Sequence, residues 1–278
     1  MSAARCPACT GSRLDPCFEK DGVPYARCAS CGLLLGRPAR NANLETALAD
    51  YEPAYLEFLG PDADDAANFA QLLAPLGGRE ACRGWRALDV GAGGGKLVRW
   101  LAEGGVDAVG VEPAAALYRR FLAQEPERFV EGTVAAARAR FGPASFDLVT
   151  VCDVIEHVTD PAEVVAQVAA LLRPGGRLLL TTPDAESPLA RLLGRRWHHV
   201  NRYHLALFGR RSLLALAARH GLRATHVAHT GRRRSLHYVA QYALDFVGSG
   251  GRAAPAVLRG LALPLNLGDV LSATFVRD

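Results

Sequence analysis

Hydrophobic positions fall into three textures along the chain. Over residues 41–85 they recur at helical spacing: Leu44, Leu48, Tyr51, Tyr55, Leu56 and Leu59, then Phe69, Leu72, Leu73 and Leu76. Pro53, Pro61 and Pro75 interrupt that pattern, so it predicts short helices rather than one rod. From residue 86 short apolar runs alternate with amphipathic stretches. Strands are expected at Arg86–Val90, Ala108–Val111, Arg128–Val130, Phe146–Cys152 and Arg177–Thr182. Helices are expected through Leu97–Leu101, around Ala114–Ala123, and from Asp160-Pro161 to Leu172, where Asp caps and Pro opens the first turn. Pro174-Gly175-Gly176 reads as a turn. This βαβα rhythm predicts an α/β fold, a mostly parallel sheet with helices on both faces. Further on, a helix at Arg211–His220 ends at Gly221, and strands follow at Leu222–Ala228 and Asp269–Val276. Residues 232–268 lie between those strands as an insertion, and residues 1–40 are punctuated by Cys, Gly and Pro.

Composition narrows the class. The 278 residues suffice for one sizeable domain and an appendage. A net charge of +4 is too mild for a nucleic-acid-binding signature. No uncharged apolar stretch is long enough to span a membrane, and cysteines stand where the apolar core of a secretion signal would be. Seven cysteines without an export signal favour reduced thiols and metal ligation over a disulfide framework, so a cytoplasmic protein is expected.

The central chemical signal is Leu88-Asp89-Val90-Gly91-Ala92-Gly93-Gly94-Gly95, placed between a strand and a helix. Glycines there let the backbone approach a ligand beyond the strand ends. The spacing Gly91, Gly93, Gly95 differs from the dinucleotide-binding G-x-G-x-x-G pattern, which disfavours a nicotinamide dehydrogenase. Glu112 closes the next strand, in Val109-Gly110-Val111-Glu112-Pro113, where a carboxylate accepts hydrogen bonds from ribose hydroxyls.

Taken in order, LDVGAGGG, VGVEP, FDLVTVCDVIEHVTDP and LLRPGGRLLLTTP resemble the class I S-adenosylmethionine-dependent methyltransferases over roughly residues 86–231, with Gly268–Arg277 as the closing strand. The resemblance implies a seven-stranded, doubly wound Rossmann-like sheet. It also implies that Asp89, Gly91, Ala92, Gly93 and Gly95 pack against the methionine part of the cofactor and that Glu112, with Pro113, holds the ribose. Thr133 stands where the family often has an acid near adenine, and Cys152 and Asp153 lie beside the methyl donor. The DVIEH segment looks like that of ubiquinone-type O-methyltransferases, in which an acid-x-x-Glu-His pattern is proposed to hold a divalent cation. Asp153, Glu156 and His157 match it. The segment reads alternatively as a loop-ordering element, or His157 as a general base.

Trp197-His198-His199-Val200-Asn201-Arg202-Tyr203-His204 follows the last central strand. Relatives in the small-molecule branch carry a His shortly before an apolar-Phe pair. His204 before Leu207-Phe208 resembles it and is the first choice of base, with His157 second.

Cys6-x-x-Cys9 and Cys28-x-x-Cys31 have zinc-ribbon spacing, predicting one closed structural zinc. The expected organisation is a zinc ribbon over 1–40, a helical connector or lid over 41–85, and a methyltransferase domain over 86–278. The expected acceptor is a hydroxyl of a small molecule, a sugar, polyketide or quinone-like metabolite, with room for an anionic or nucleotide-linked one, since Arg195-Arg196, Arg210-Arg211 and Arg232-Arg233-Arg234 form local basic spots. An RNA methyltransferase and a non-catalytic S-adenosylmethionine-binding protein are the rivals, the first disfavoured by few aromatics and modest charge.

Overall fold

The computed structural model of the chain describes residues 5–37, 62–246, 254–255, 257–258 and 261–278. At the N-terminus β1 (Leu14–Lys20) and β2 (Val23–Cys28) form an antiparallel hairpin. Its turn, Asp21-Gly22, has positive φ at both residues, which matches the right-handed strand twist. β3 (Leu34–Gly36) then pairs with β2. The helical pattern from Leu44 to Leu59 lies outside the described residues. Helix α1 (Asp62–Leu73) carries the later part of it, with Leu73 fully buried, and ends just before Pro75.

The alternating region follows as β4 (Arg86–Val90), α2 (Lys96–Glu103), β5 (Asp107–Glu112), α3 (Ala115–Leu117), β6 (Phe129–Glu131), α4 (Val134–Phe141), β7 (Phe146–Cys152), α5 (Pro161–Leu171) and β8 (Leu172–Pro183). Next come α6 (Pro188–Leu193), β9 (Ala206–Leu207), α7 (Arg210–Ala218), β10 (Leu222–His229), β11 (Arg232–Ser235), α8 (Leu236–Phe246), β12 (Ala262–Leu265) and β13 (Val270–Arg277). The main sheet has seven strands in the order β10-β13-β8-β7-β4-β5-β6. β4 to β8 are mutually parallel, and β13 runs antiparallel between β8 and β10. The chain builds outward from β4 to β6, then returns to β7 on the other side of β4. That reversal opens a crevice at the carboxyl ends of β4 and β7, the place where doubly wound sheets bind ligands.

Strand residues alternate between two cores. Leu88, Val90, Val149, Val151, Leu178 and Leu180 face one, packed by α4, α5 and α7. Ala87, Ala108, Leu148 and Leu179 face the other, packed by α1 and α2. Burial on both faces explains why these strands read as continuous apolar runs. One difference from the sequence reading lies in β8, which starts at Leu172 rather than Arg177. Phe146 pairs with Leu172 and Leu148 with Arg177, so the Pro174-Gly175-Gly176 turn survives as an irregularity inside the strand. The insertion contributes an antiparallel pair, β11 with β12, and α8. No helix among the described residues is long and apolar enough to cross a membrane.

Candidate active site and four-cysteine cluster

Two loops meet at the crevice. The first follows β4. Gly91 and Gly95 both adopt φ of 76°. A Cβ on Gly91 would stand 2.5 Å from Val154, and one on Gly95 would stand 2.7 Å from both Leu122 and Phe129. Only glycine fits either position. The loop is fastened to β5 through Glu112, which is 5% exposed. The Gly93 amide donates to Glu112 Oε2 at 2.7 Å and the Ala114 amide to Oε1 at 2.8 Å. Burial raises the Glu112 pKa, and these two amides oppose that rise by favouring the carboxylate. Each oxygen keeps a second lone pair for a ligand hydroxyl. Asp89, also buried, accepts from the Thr150 hydroxyl at 2.7 Å. Burial outweighs that bond and pushes its pKa up to about 7. Ala92 is buried, Pro113 is half-buried after Glu112, and Thr133 lies just past the end of β6, so these predicted contacts share the same sheet edge.

The second loop follows β7. Cys152 ends the strand, and burial pushes its thiol well above the usual range. Asp153 is held at φ 54°. Its Oδ1 accepts from Thr181 at 3.0 Å and from Arg232 at 2.7 Å, and Arg232 lies 2.5 Å from Oδ2. Glu156 is 1% exposed and accepts from the Thr182 hydroxyl at 3.0 Å; burial and the Asp153 charge raise its pKa. The structure therefore regroups the predicted cation ligands. Glu156 and His157 have a donor atom each within 4.8 Å of one another and of His204, whereas Asp153 is engaged by arginine and stands outside that group.

His157 and His204 pack edge to face with ring centroids 4.6 Å apart. His157 Nδ1 lies 3.0 Å from the Tyr203 carbonyl and His204 Nδ1 lies 2.7 Å from the His199 carbonyl. A carbonyl only accepts, so each Nδ1 carries the proton and each Nε2 carries the lone pair. Burial lowers both pKa values, that of His204 to about 3, and the proximity of His157 adds to the His204 depression. His198, His199 and buried Asp269 form an adjoining group, with Trp197 Nε1 donating to Asp269 at 3.0 Å.

Sequence reasoning missed the hydroxyl partners Thr150, Thr181 and Thr182. Their signal was polar residues inside otherwise apolar strand ends. It had Arg232 only within a basic spot, a surface charge or a grip for an anionic acceptor, because nothing local links residue 232 to residue 153. Arg195, Arg196, Arg210 and Arg211 are exposed.

At the N-terminus the two Cys-x-x-Cys turns converge. Cys6 and Cys31 sulfurs are 3.6 Å apart, Cys9 and Cys28 sulfurs 3.5 Å, and all four lie within 4.8 Å of one another. Tetrahedral thiolate ligation of zinc, with bonds of about 2.3 Å, spaces sulfurs about 3.8 Å apart, so this donor set fits it. Cys6, Cys28 and Cys31 are buried.

A Rossmann-like sheet with a glycine loop at its switch point and an acid closing the second strand is an architecture that methyltransferases share with dinucleotide-binding proteins. The family described as a methyltransferase domain matches residues 47–227, and the chain belongs to it. A ubiquinone biosynthesis O-methyltransferase of Paracidovorax citrulli is 39% identical over 115 residues, 40% of this chain and 46% of that protein. The chain spans about half the length of the curated relatives it matches. Among solved structures, a SAM-dependent methyltransferase from Archaeoglobus fulgidus superposes with a TM-score of 0.57 at 14% identity, covering 82% of this chain and 99% of that one. A Burkholderia thailandensis 1,6-didemethyltoxoflavin-N1-methyltransferase, with bound 1,6-didemethyltoxoflavin and S-adenosylhomocysteine, gives a TM-score of 0.50 at 18% identity, covering 95% of this chain and 99% of that one. These two likenesses concern the fold.

Proposed function

We propose that the protein transfers a methyl group from S-adenosylmethionine to a hydroxyl oxygen of a small molecule, and that Cys6, Cys9, Cys28 and Cys31 hold one structural zinc. The observation that carries the reading is Glu112, buried at the end of β5 and tied to the glycine loop by the Gly93 amide. That placement lets its free lone pairs take both ribose hydroxyls while Gly91–Gly95 leave room for the amino-acid part. When bound, the cofactor supplies a methyl carbon made electrophilic by its sulfonium.

The chain's own groups then position the acceptor and take its proton. His204 is neutral, with its lone pair on Nε2 and its Nδ1–H fixed on the His199 carbonyl. Its Nε2 would take the hydroxyl proton of the acceptor, whose oxygen would gain the methyl group that the bound cofactor supplies. A base of such low pKa suits an acidic hydroxyl, as in a phenol, better than an alcohol. The relatives named ubiquinone biosynthesis O-methyltransferase support an acceptor of this kind.

Calorimetry with S-adenosylhomocysteine tests the reading. The wild type is expected to bind, and Glu112→Ala to bind at least about tenfold more weakly, as loss of charge-assisted hydrogen bonds implies. A folded, zinc-loaded wild type that does not bind would refute it. Elemental analysis should find one zinc per chain, lost in Cys28→Ser.

A further inference from the structure

We propose that the four-cysteine module is the platform on which the histidine loop 197–207 is built, and that Tyr25 is a positioning residue for His204. The inference deepens the proposed reading and rests on it for its catalytic consequence; the coupling itself is independent of any activity.

The module and the loop share a sheet. β3 pairs with β9, Leu34 opposite Leu207 and Leu35 opposite Ala206, giving the four-stranded order β1-β2-β3-β9. The Gly36 amide donates to the Leu205 carbonyl at 2.9 Å. Two side chains of the hairpin reach further into the loop. The Tyr25 hydroxyl donates to the Asn201 carbonyl at 2.7 Å, and Lys20 Nζ to the Val200 carbonyl at 2.5 Å. The Asn201 carbonyl also accepts from the His204 amide at 3.1 Å, closing the turn that presents this histidine. One carbonyl thus joins Tyr25 to His204. Behind these bonds lies a shared apolar core in which Val23, Tyr25 and Leu34 pack with Trp197, Val200 and Leu207.

The cysteines fasten the strands that make these contacts. Cys28 ends β2, Cys31 stands three residues before β3, and the knuckle carrying Cys6 and Cys9 is gripped by Arg219, whose guanidinium donates to the Ala8 carbonyl at 3.1 Å. The opposite side of the loop is anchored to the methyltransferase domain, since the Glu156 carbonyl accepts from the Leu205 and Ala206 amides at 2.7 and 3.1 Å. The loop is therefore clamped between the module and the DVIEH segment. A two-residue strand has little stability of its own, so the clamp decides its geometry.

Amide hydrogen exchange and imidazole ¹⁵N shifts on the full zinc-loaded chain test this, comparing wild type with Tyr25→Phe and Lys20→Met. Tyr25→Phe keeps the buried ring and removes one donor. Exchange of the His204–Leu207 amides is expected to rise about fivefold or more, as loss of one hydrogen bond implies. The fixed Nδ1–H tautomer of His204 should give way to averaged shifts, while β4 and β7 amides stay protected. Chelating the zinc should raise exchange at 204–207 in the wild type by a larger factor than at β4 and β7, whose core the cysteines share, and zinc should restore it. Unchanged exchange and shifts at 204–207 in both variants, or a rise spread evenly over the main sheet, would overturn the proposal. Failure of S-adenosylhomocysteine to bind would instead sink the functional reading and leave this coupling standing.

Discussion

Asp89 shows how one side chain couples the cofactor loop to stability. It is buried beside Glu112, and its pKa is pushed up to about 7 chiefly by burial. An unfolded aspartate titrates near 3.9. Between about pH 4 and pH 7 the folded protein therefore holds a proton that the unfolded chain has released. The stability contributed by that proton is fully present below about pH 4 and lost as pH rises through about 7. Asp89→Asn keeps the shape without titrating. Its melting temperature relative to wild type should climb from pH 4 to pH 7 and level off above, in calorimetric melts at stepped pH. A constant offset would contradict the burial argument. His204 works in the opposite sense, since its depressed pKa adds stability above about pH 6.5 and loses it toward about 3; it is common to both proteins and cancels in the difference.

At the scale of elements, two connections decide how the site edge is held. The first is local. Asp160 accepts from the Ala162 and Glu163 amides at 3.0 and 3.1 Å, and Pro161 opens α5. Asp160→Ala should cost about 1 kcal/mol in denaturant unfolding, the usual worth of an N-cap. The second is not local. Arg232 at the start of β11 ties the insertion to Asp153 and Thr181, and the amide of its neighbour Arg233 donates to Asn68 of α1 at 2.7 Å. The connector helix and the insertion thus meet beside the end of β7. Replacing Arg232 with Met should loosen β11, β12 and α8, read as faster proteolysis there. Equal proteolysis of both proteins would remove the tether role.

Over the whole molecule, the four-cysteine module is not a separate bead. Cys6, Ala8, Cys28, Cys31 and Leu33 belong to the same buried cluster as the core of the main sheet. Metal removal should therefore lower the melting temperature of the entire chain. Glu112 and the glycine loop belong to β5 and β4, whereas the module pairs with β9, so S-adenosylhomocysteine affinity should change by less than about threefold, as expected of separated sites. Loss of cofactor binding on chelation would mean that the two halves are coupled more tightly than this arrangement implies.

The strand and helix succession from residue 86, the glycine loop, Glu112 and the paired cysteine turns were all legible in the sequence. Each depends on short-range rules: apolar periodicity, glycine where the backbone must turn, ligand spacing within a knuckle. The partners that cross long stretches of chain were not. Asp153 reads as a cation ligand until Arg232 arrives from 79 residues away, and His204 joins Glu156 and His157 only because β9 lies against the DVIEH loop. The same holds for Tyr25, whose partner Asn201 is 176 residues distant. Such contacts follow from how packed layers bring distant loops to one sheet edge, which local patterns do not encode. The sequence by itself determined the fold class and named the residues of the two proposed ligand sites. The tertiary structure alone decided which side chains meet in the acceptor half, because burial and pairing there are properties of the assembled layers.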